Sequence, residues 1–174
     1  MTVIQDSTQV RIVFAASRHW LGRLIRWLTN GKTSHAMLQF PLPLWGGDFI
    51  AQATFPDVRM TPAEASRKNV VEEFEYLFPT KAGFLAIRKL IGEWYDFRSL
   101  PILGWILIWR KLLGQKVSHP WHTLRAQQCS ELIARFFQGC DLAGTKDWEP
   151  EEVTPEQLRR YCAAHSEYFR RLPR

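Results

Sequence analysis

The sequence predicts an α+β fold, built as a single domain over residues 1–174. Some segments alternate apolar and polar residues with the period of a strand, whereas others repeat apolar residues at the spacing of a helix. Neither an internal repeat nor a linker separates these segments. A chain of 174 residues with 46% apolar and 13% aromatic residues can bury a substantial core, which excludes a disordered tail.

The chain begins with a predicted strand and helix. Residues 9–16 read as a largely buried strand, because apolar residues occupy both of its faces. Apolar residues then recur at helical spacing across residues 20–28. Asn30 and Gly31 follow directly and predict the end of this helix.

A β-hairpin is predicted next. Its arms are residues 35–40 and 48–54, and the segment between them is rich in proline and glycine, as turns are. His35 lies on the first arm and Gln52 on the second. The hairpin is therefore expected to bring these two polar side chains onto neighbouring strands.

Capping residues and apolar patterns predict the remaining elements. Thr61 and Thr154 each precede a proline, as expected at the start of a helix with a capping box. The further predicted elements are an extended piece at 58–60, a helix starting at Thr61, a strand at 70–76, a helix from Thr80 towards Gly92, a helix from Cys129 to Gly139 and a helix from Thr154 to about Ala164.

Charge and cysteine content narrow the class of protein. The net charge is +6 and the pI is about 9.5, which permits an anionic partner such as a lipid surface or a cell-wall polymer. No nucleic-acid-binding motif accompanies the basic residues, so solvated helix faces are favoured and no specific nucleic-acid partner is predicted. Three cysteines without a Cys-x-x-Cys pair argue against a disulfide framework and a zinc ribbon.

Two segments bear on localisation. The N-terminus lacks the pattern of a secretory signal, so cytoplasmic synthesis is expected, with association with a virion or release by lysis as alternatives. Residues 100–113 are apolar but are interrupted by Arg110 and Lys111, so they fall short of a membrane span. A buried or partner-facing helix is favoured there, and residues 94–113 are a candidate surface for a membrane or a protein partner.

Cys129 is the candidate nucleophile. A cysteine in the first turn of a helix lies among unpaired N–H groups at the positive end of the helix dipole, and both favour the thiolate. The same N–H groups could stabilise an oxyanion. The alternative is a structural cysteine packed as a small apolar residue, which fits Cys140 and Cys162 better.

His35 is the candidate base. It would take the thiol proton and later protonate the leaving group. Gln52 has a side-chain carbonyl that could accept the other ring N–H of His35 and orient the imidazole, although a neutral amide adds little charge stabilisation. The alternative for His35 is a core or edge histidine with a satisfied hydrogen bond.

A zinc site is the competing hypothesis. His119, His122 and Cys129 have side chains that ligate zinc, but a fourth ligand is not evident. We therefore predict neither a metal nor a cofactor. The remaining histidines, His19 and His165, are expected at the surface.

Several short motifs together resemble a known family. In chain order they are Ser34-His35 with three apolar residues, Gln52 in an apolar strand, residues 57–62, Gly92–Phe97 with Tyr95-Asp96-Phe97, Cys129–Ala134 and Thr154–Leu158. They resemble the circularly permuted branch of the NlpC-type papain-fold cysteine hydrolases, the YaeF/YiiX-like group related to the lecithin:retinol acyltransferase-like proteins. In that branch the histidine precedes the cysteine, as it does here.

The resemblance implies a fold, a site and an activity. The fold is a permuted papain-like one, with an antiparallel sheet packed against helices and the catalytic cysteine at a helix N-terminus. Cys129, His35 and Gln52 are the implied catalytic residues, with Tyr95 as an oxyanion donor or pocket residue. Members often have an acidic residue where Gln52 stands, which leaves the third role open.

The implied activity is thiol-dependent hydrolysis of an amide, or less favourably of an ester or thioester. The implied substrates are peptides, including peptidoglycan fragments, and acyl-lipids. The alternative is a papain-like fold retained without catalysis as a structural or interaction protein, for example a component of a bacteriophage particle. The neutral side chain of Gln52 keeps this alternative open.

Overall fold

The computed structural model describes residues 9–54, 56–93 and 129–173. Within these ranges the chain forms six strands, five α-helices and two short 3-10 helices. The strands are β1 (Arg11–Ala15), β2 (His35–Leu42), β3 (Gly47–Thr54), β4 (Asp57–Pro62), β5 (Val70–Tyr76) and β6 (Phe169–Arg171). The α-helices are α1 (Trp20–Leu28), α2 (Ala63–Ser66), α3 (Lys81–Ile87), α4 (Cys129–Gly139) and α5 (Pro155–Ala164), and the 3-10 helices are Pro43–Trp45 and Pro150–Glu152.

The strands form one antiparallel sheet in the order β4-β3-β2-β1-β5-β6. Strand β2 is therefore internal, with β1 on one side and β3 on the other. The predicted α+β class is confirmed, and so is the hairpin that carries His35 on one strand and Gln52 on the next. The strands of the hairpin are longer than predicted, because β2 continues to Leu42 and the turn is confined to residues 43–46.

Both faces of the sheet are covered, which explains why β1 is apolar on both sides. Ile12 and Phe14 belong to the larger core, together with residues of α4 and α5. Val13 and Ala15 belong to a smaller core on the other face, which also includes Ala63 of α2. Each core removes apolar surface from water and so stabilises the packing of its helices on the sheet.

Helix α4 packs against β2 and β3 through the face predicted from the sequence. Leu132, Ile133, Phe136 and Phe137 of this helix are completely buried. Phe136 makes edge-on ring contacts with Tyr76 of β5 and Phe84 of α3. This packing fixes the position of the helix that begins at Cys129 relative to β2.

The end of α1 sets the approach of the chain to His35. Asn30 has a positive φ of 48°, and the N–H groups of Asn30 and Gly31 donate to the carbonyls of Trp27 and Arg26. These are the two hydrogen bonds of a Schellman motif, so the predicted helix end is confirmed. A Cβ on Gly31 would lie 2.5 Å from the side chain of Glu156, which explains why glycine is needed there.

Three details differ from the prediction. Thr61 belongs to β4 and does not cap α2, whose flanking residue Pro62 makes no side-chain cap. Helix α3 ends at Ile87 and does not continue towards Gly92. Strand β6 was not predicted, because three residues are too few to form a recognisable pattern.

Some predicted features lie outside the described residues. They are the N-terminal segment, Tyr95, the apolar stretch at 100–113, and His119 and His122. Among the residues that are described, no helix is long and apolar enough to cross a membrane.

Candidate active site

His35 and Gln52 are joined by a hydrogen bond between neighbouring strands. The ladder between β2 and β3 runs from the Leu38–Ala51 pair towards the turn, and both polar residues lie at its open end. The distance from Nε2 of His35 to Oε1 of Gln52 is 3.0 Å. The hairpin thus brings together the two residues that the sequence placed on its arms.

The surroundings of the Gln52 amide fix its orientation. Its Nε2 donates to Oγ of Ser66 at 2.9 Å and to Oγ1 of Thr61 at 3.3 Å. Because the amide nitrogen is engaged there, the amide oxygen faces His35 and accepts from its Nε2–H. This leaves Nδ1 of His35 as the ring nitrogen available to Cys129.

Cys129 is the first described residue of α4 and is 8% exposed. Its side chain interacts with the His35 ring through charge and a side-chain hydrogen bond. Hydrogen bonding to the backbone N–H groups of Ala36 and Ser130 also lowers the pKa of its thiol. The structure therefore brings all three residues, Cys129, His35 and Gln52, into one connected arrangement.

The electrostatics of this arrangement favour an ion pair. Burial alone would raise the pKa of Cys129, but the charge of His35, its hydrogen bond and the two backbone N–H groups outweigh burial and lower that pKa. Burial alone would lower the pKa of His35, but the charge of Cys129 and the hydrogen bonds to Cys129 and Gln52 raise it. A lowered pKa for the thiol and a raised pKa for the neighbouring imidazole favour the state in which Cys129 is a thiolate and His35 is an imidazolium.

The other two cysteines have the environment of structural thiols. Cys162 in α5 is 1% exposed, and burial raises its pKa well above the ordinary value. Cys140 is half-buried, and burial raises its pKa despite hydrogen bonds with Tyr76 and the Gly83 backbone. Only Cys129, among the three, has a lowered thiol pKa.

Thr61 and Ser66 were missed by the sequence analysis as part of this arrangement. Their hydroxyl oxygens lie 2.6 Å apart and both contact Gln52. The sequence pattern assigned Thr61 to a helix cap, and that assignment was wrong because its hydroxyl bonds to Gln52 and Ser66 instead of the α2 backbone. A polar residue in the middle of an apolar strand was the available signal, since a buried amide needs partners.

The remaining predicted site residues cannot be placed in this arrangement. Tyr95, His119 and His122 lie outside the described residues. Within the ranges that are described, no group of three or more His, Cys, Asp or Glu side chains is arranged to hold a metal.

The arrangement supplies the parts needed for nucleophilic chemistry. A thiolate is the reactive form of cysteine, and an adjacent imidazolium can give a proton to a leaving group.

No protein-family model matches the chain, and no curated protein matches it either.

Proposed function

We propose that the chain is a cysteine hydrolase with a permuted papain-like fold. The observation that carries this proposal is the Cys129–His35–Gln52 arrangement, with a lowered pKa for the buried thiol and a raised pKa for the imidazole. Further support comes from the order of histidine before cysteine and from a helix starting at the cysteine that packs on an antiparallel sheet.

In the proposed reaction the Cys129 thiolate attacks the carbonyl carbon of an amide. The carbon–sulfur bond forms, and the carbonyl becomes an oxyanion that backbone N–H groups at the start of α4 would stabilise. When the oxyanion collapses, the carbon–nitrogen bond breaks and His35 gives its proton to the departing amine. Water then attacks the thioester, and neutral His35 takes a proton from it, which releases the acid and restores the ion pair.

Gln52 has a positioning role in this scheme. It accepts the Nε2–H of His35 and so leaves Nδ1 as the ring nitrogen that can exchange a proton with the thiol. The hydrogen bond also raises the pKa of His35, which favours the imidazolium that the leaving group needs. A neutral amide can perform both tasks without adding a charge to the site.

The proposed substrates are peptides, including peptidoglycan fragments, and acyl-lipids. The net charge of +6 suits both, because cell-wall polymers and lipid surfaces are commonly anionic. An amide is preferred over an ester or thioester, since an imidazolium poised beside the thiolate is most useful when the leaving group is a poor one.

The test is alkylation of the folded protein by iodoacetamide across pH, with the modified cysteine identified by mass spectrometry. Cys129 is expected to react faster than glutathione below neutral pH, whereas Cys162 stays unmodified. Purified protein is then incubated with peptidoglycan peptides and with acyl-lipid vesicles, and Cys129→Ala serves as the control. Turnover that disappears in this variant supports the proposal and identifies the substrate class.

A non-catalytic structural protein is the alternative, and the neutral Gln52 is the observation that favours it. That alternative predicts that Cys129 reacts no faster than glutathione. If this is found, and if Cys129→Ala leaves every biological readout intact, the hydrolase proposal is wrong.

A further inference from the structure

The Gln52 amide has two ends of nearly the same shape but opposite hydrogen-bonding character. The oxygen accepts and the nitrogen donates, so a half-turn of the amide exchanges an acceptor for a donor in front of His35. Gln52 is only 8% exposed, so water cannot readily compensate for a wrong orientation. The orientation must therefore be chosen by the groups at the far end of the amide.

Thr61 and Ser66 are those groups. The number of hydroxyl hydrogens that they can offer determines the orientation of the Gln52 amide. Their oxygens are 2.6 Å apart, a distance at which one hydroxyl must donate to the other. Only one hydroxyl hydrogen then remains for other acceptors. The two hydrogens of the amide nitrogen can satisfy both hydroxyl oxygens, whereas an amide oxygen in the same place could accept from only one hydroxyl.

The opposite orientation would also conflict with His35. An amide nitrogen facing Nε2 requires a lone pair on that atom, so the imidazolium would lose its acceptor and meet a donor instead. The charged residue opposite Gln52 in the β3–β4 register is Arg59, whose guanidinium is paired with Asp57 at 2.7 Å. The amide nitrogen of Gln52 itself donates to the hydroxyl oxygens of Thr61 and Ser66, and these contacts direct the amide oxygen to His35.

We infer that Thr61 and Ser66 are positioning residues that hold Gln52 with its oxygen towards His35 and so keep the ring protonated at Nε2. This inference rests on the proposed function, because the protonated ring matters only if the pair with Cys129 performs chemistry. The two residues come from different elements, β4 and the last residue of α2, so the hairpin alone does not complete the site.

The experiment compares Ser66→Ala, Thr61→Val and the double variant with the conservative variants Ser66→Thr and Thr61→Ser. The ring of His35 is followed by nitrogen-15 NMR, which reports both its protonation and its tautomer, and Cys129 by its rate of alkylation with iodoacetamide. The double variant is expected to titrate His35 at a lower pH and to alkylate Cys129 about fivefold more slowly near neutral pH, the effect of about one hydrogen bond. The conservative variants are expected to behave like the unaltered protein.

Two controls separate positioning from a general loss of stability. Thr145→Val removes another fully buried hydroxyl, which donates to the Leu142 carbonyl away from the site, and it should leave the His35 titration unchanged. In the Gln52→Glu background the two carboxylate oxygens are equivalent, so orientation no longer matters. In that background, loss of the two hydroxyls should not lower the pH at which His35 titrates.

The outcomes distinguish this inference from the proposed function. If Cys129 in the unaltered protein reacts like glutathione, the proposed function fails, and the inference fails with it. If Cys129 is reactive but the double variant leaves both the His35 titration and the alkylation rate unchanged, only the positioning inference is overturned. The inference is also overturned if the hydroxyl substitutions lower the pH at which His35 titrates by the same amount in the Gln52→Glu background as in the protein with Gln52.

Discussion

Helices α4 and α5 each bury a cysteine, but the two thiols have opposite electrostatic environments. Cys129 is 8% exposed and Cys162 is 1% exposed, so desolvation acts against the thiolate in both. Cys129 has the His35 ring and two backbone N–H donors at its sulfur, and its pKa is lowered. Near Cys162, desolvation and the charge of Glu72 outweigh the charge of Arg159 and a backbone hydrogen bond, so its pKa is raised. The comparison indicates that the balance of neighbouring charges and hydrogen bonds, and not burial alone, sets the direction in which each thiol pKa shifts.

The ionisable groups of α5 serve another purpose. Glu156, almost completely buried, accepts hydrogen bonds from the backbone N–H of Lys32 at 2.9 Å and from Arg159 at 2.8 Å. Arg159 also pairs with Glu72 of β5 at 2.8 Å. These contacts tie α5 to the sheet and to the loop before β2. The charges of α5 therefore hold the fold together, whereas those near Cys129 shift the pKa values of a thiol and an imidazole in opposite directions.

The largest expected effect comes from removing the cation beside Cys129. In His35→Ala only burial and the two N–H groups remain, so the Cys129 pKa should rise and the thiol should resemble that of Cys162. Alkylation by iodoacetamide near pH 7 is expected to slow about a hundredfold. His165→Ala is the matched control, because that ring stacks on Tyr161 at 4.0 Å and belongs to α5. An unchanged rate in His35→Ala would show that His35 does not activate the thiol.

The next effect tests the structural role of α5. Burial would raise the pKa of Glu156, but its hydrogen bonds to Arg159, Lys32 and Arg160 lower it to about 2, against an ordinary value of 4.5. The stability it contributes is present above pH 4.5 and is lost as the pH falls towards 2. Glu156→Gln should therefore lower the free energy of unfolding by about 2 kcal/mol at pH 7, with the difference vanishing at acid pH.

Urea unfolding at several pH values measures this contribution. Glu151→Gln is the control, since that carboxylate is 44% exposed where it pairs with Arg135, and its removal should cost well under 1 kcal/mol. A difference between Glu156→Gln and the unaltered protein that stays constant down to pH 2 would contradict the assignment.

A smaller effect is expected when the sulfur of Cys162 is removed. Cys162→Ala leaves a small cavity in the core, so the free energy of unfolding should fall by about 1 kcal/mol. The rate of Cys129 alkylation should not change, because the two thiols share no partner among the described residues. Denaturant unfolding and the alkylation assay measure the two quantities on the same preparation. If turnover or alkylation is lost instead, Cys162 has been wrongly assigned as structural.

Local sequence patterns predicted much of the fold. Alternation and helical spacing located β1, β5 and α5, because each of these elements contributes buried apolar residues to the larger core. Helical spacing also located α1, although Trp20 and Trp27 of this helix are exposed. The capping residue Thr154 was also identified correctly, since its hydroxyl accepts from the N–H of Gln157 at 3.2 Å. Strand β6 could not be found this way, because it depends on pairing with β5 and on ion pairs such as Arg171–Glu72.

The candidate site was predictable only in part, for the same reason. Cys129 was predicted from its place in the first turn of a helix, and His35 and Gln52 from their places on the two arms of the hairpin. Thr61 and Ser66 were not, since hydroxyls are common near turns and their role depends on which strand lies beside β3. A residue that acts through another residue leaves a weaker signal in the sequence than one that acts directly.

The smallest expected effect concerns the upper pH limit of the Cys129–His35 pair, which the comparison with Cys162 leaves undefined. The hydrogen bond from His35 to Gln52 is one of the causes that raise the His35 pKa. Gln52→Ala should therefore make the imidazolium lose its proton at a lower pH, and Gln52→Glu should let it persist to a higher pH, because a carboxylate accepts more strongly than an amide. The alkaline limb of the pH dependence of Cys129 alkylation should move in these two directions, with rates near the limb changing about threefold. The acid limb reports the thiol itself and should move less. If both variants displace the alkaline limb in the same direction, the substitutions disturb packing and do not act through the His35 proton.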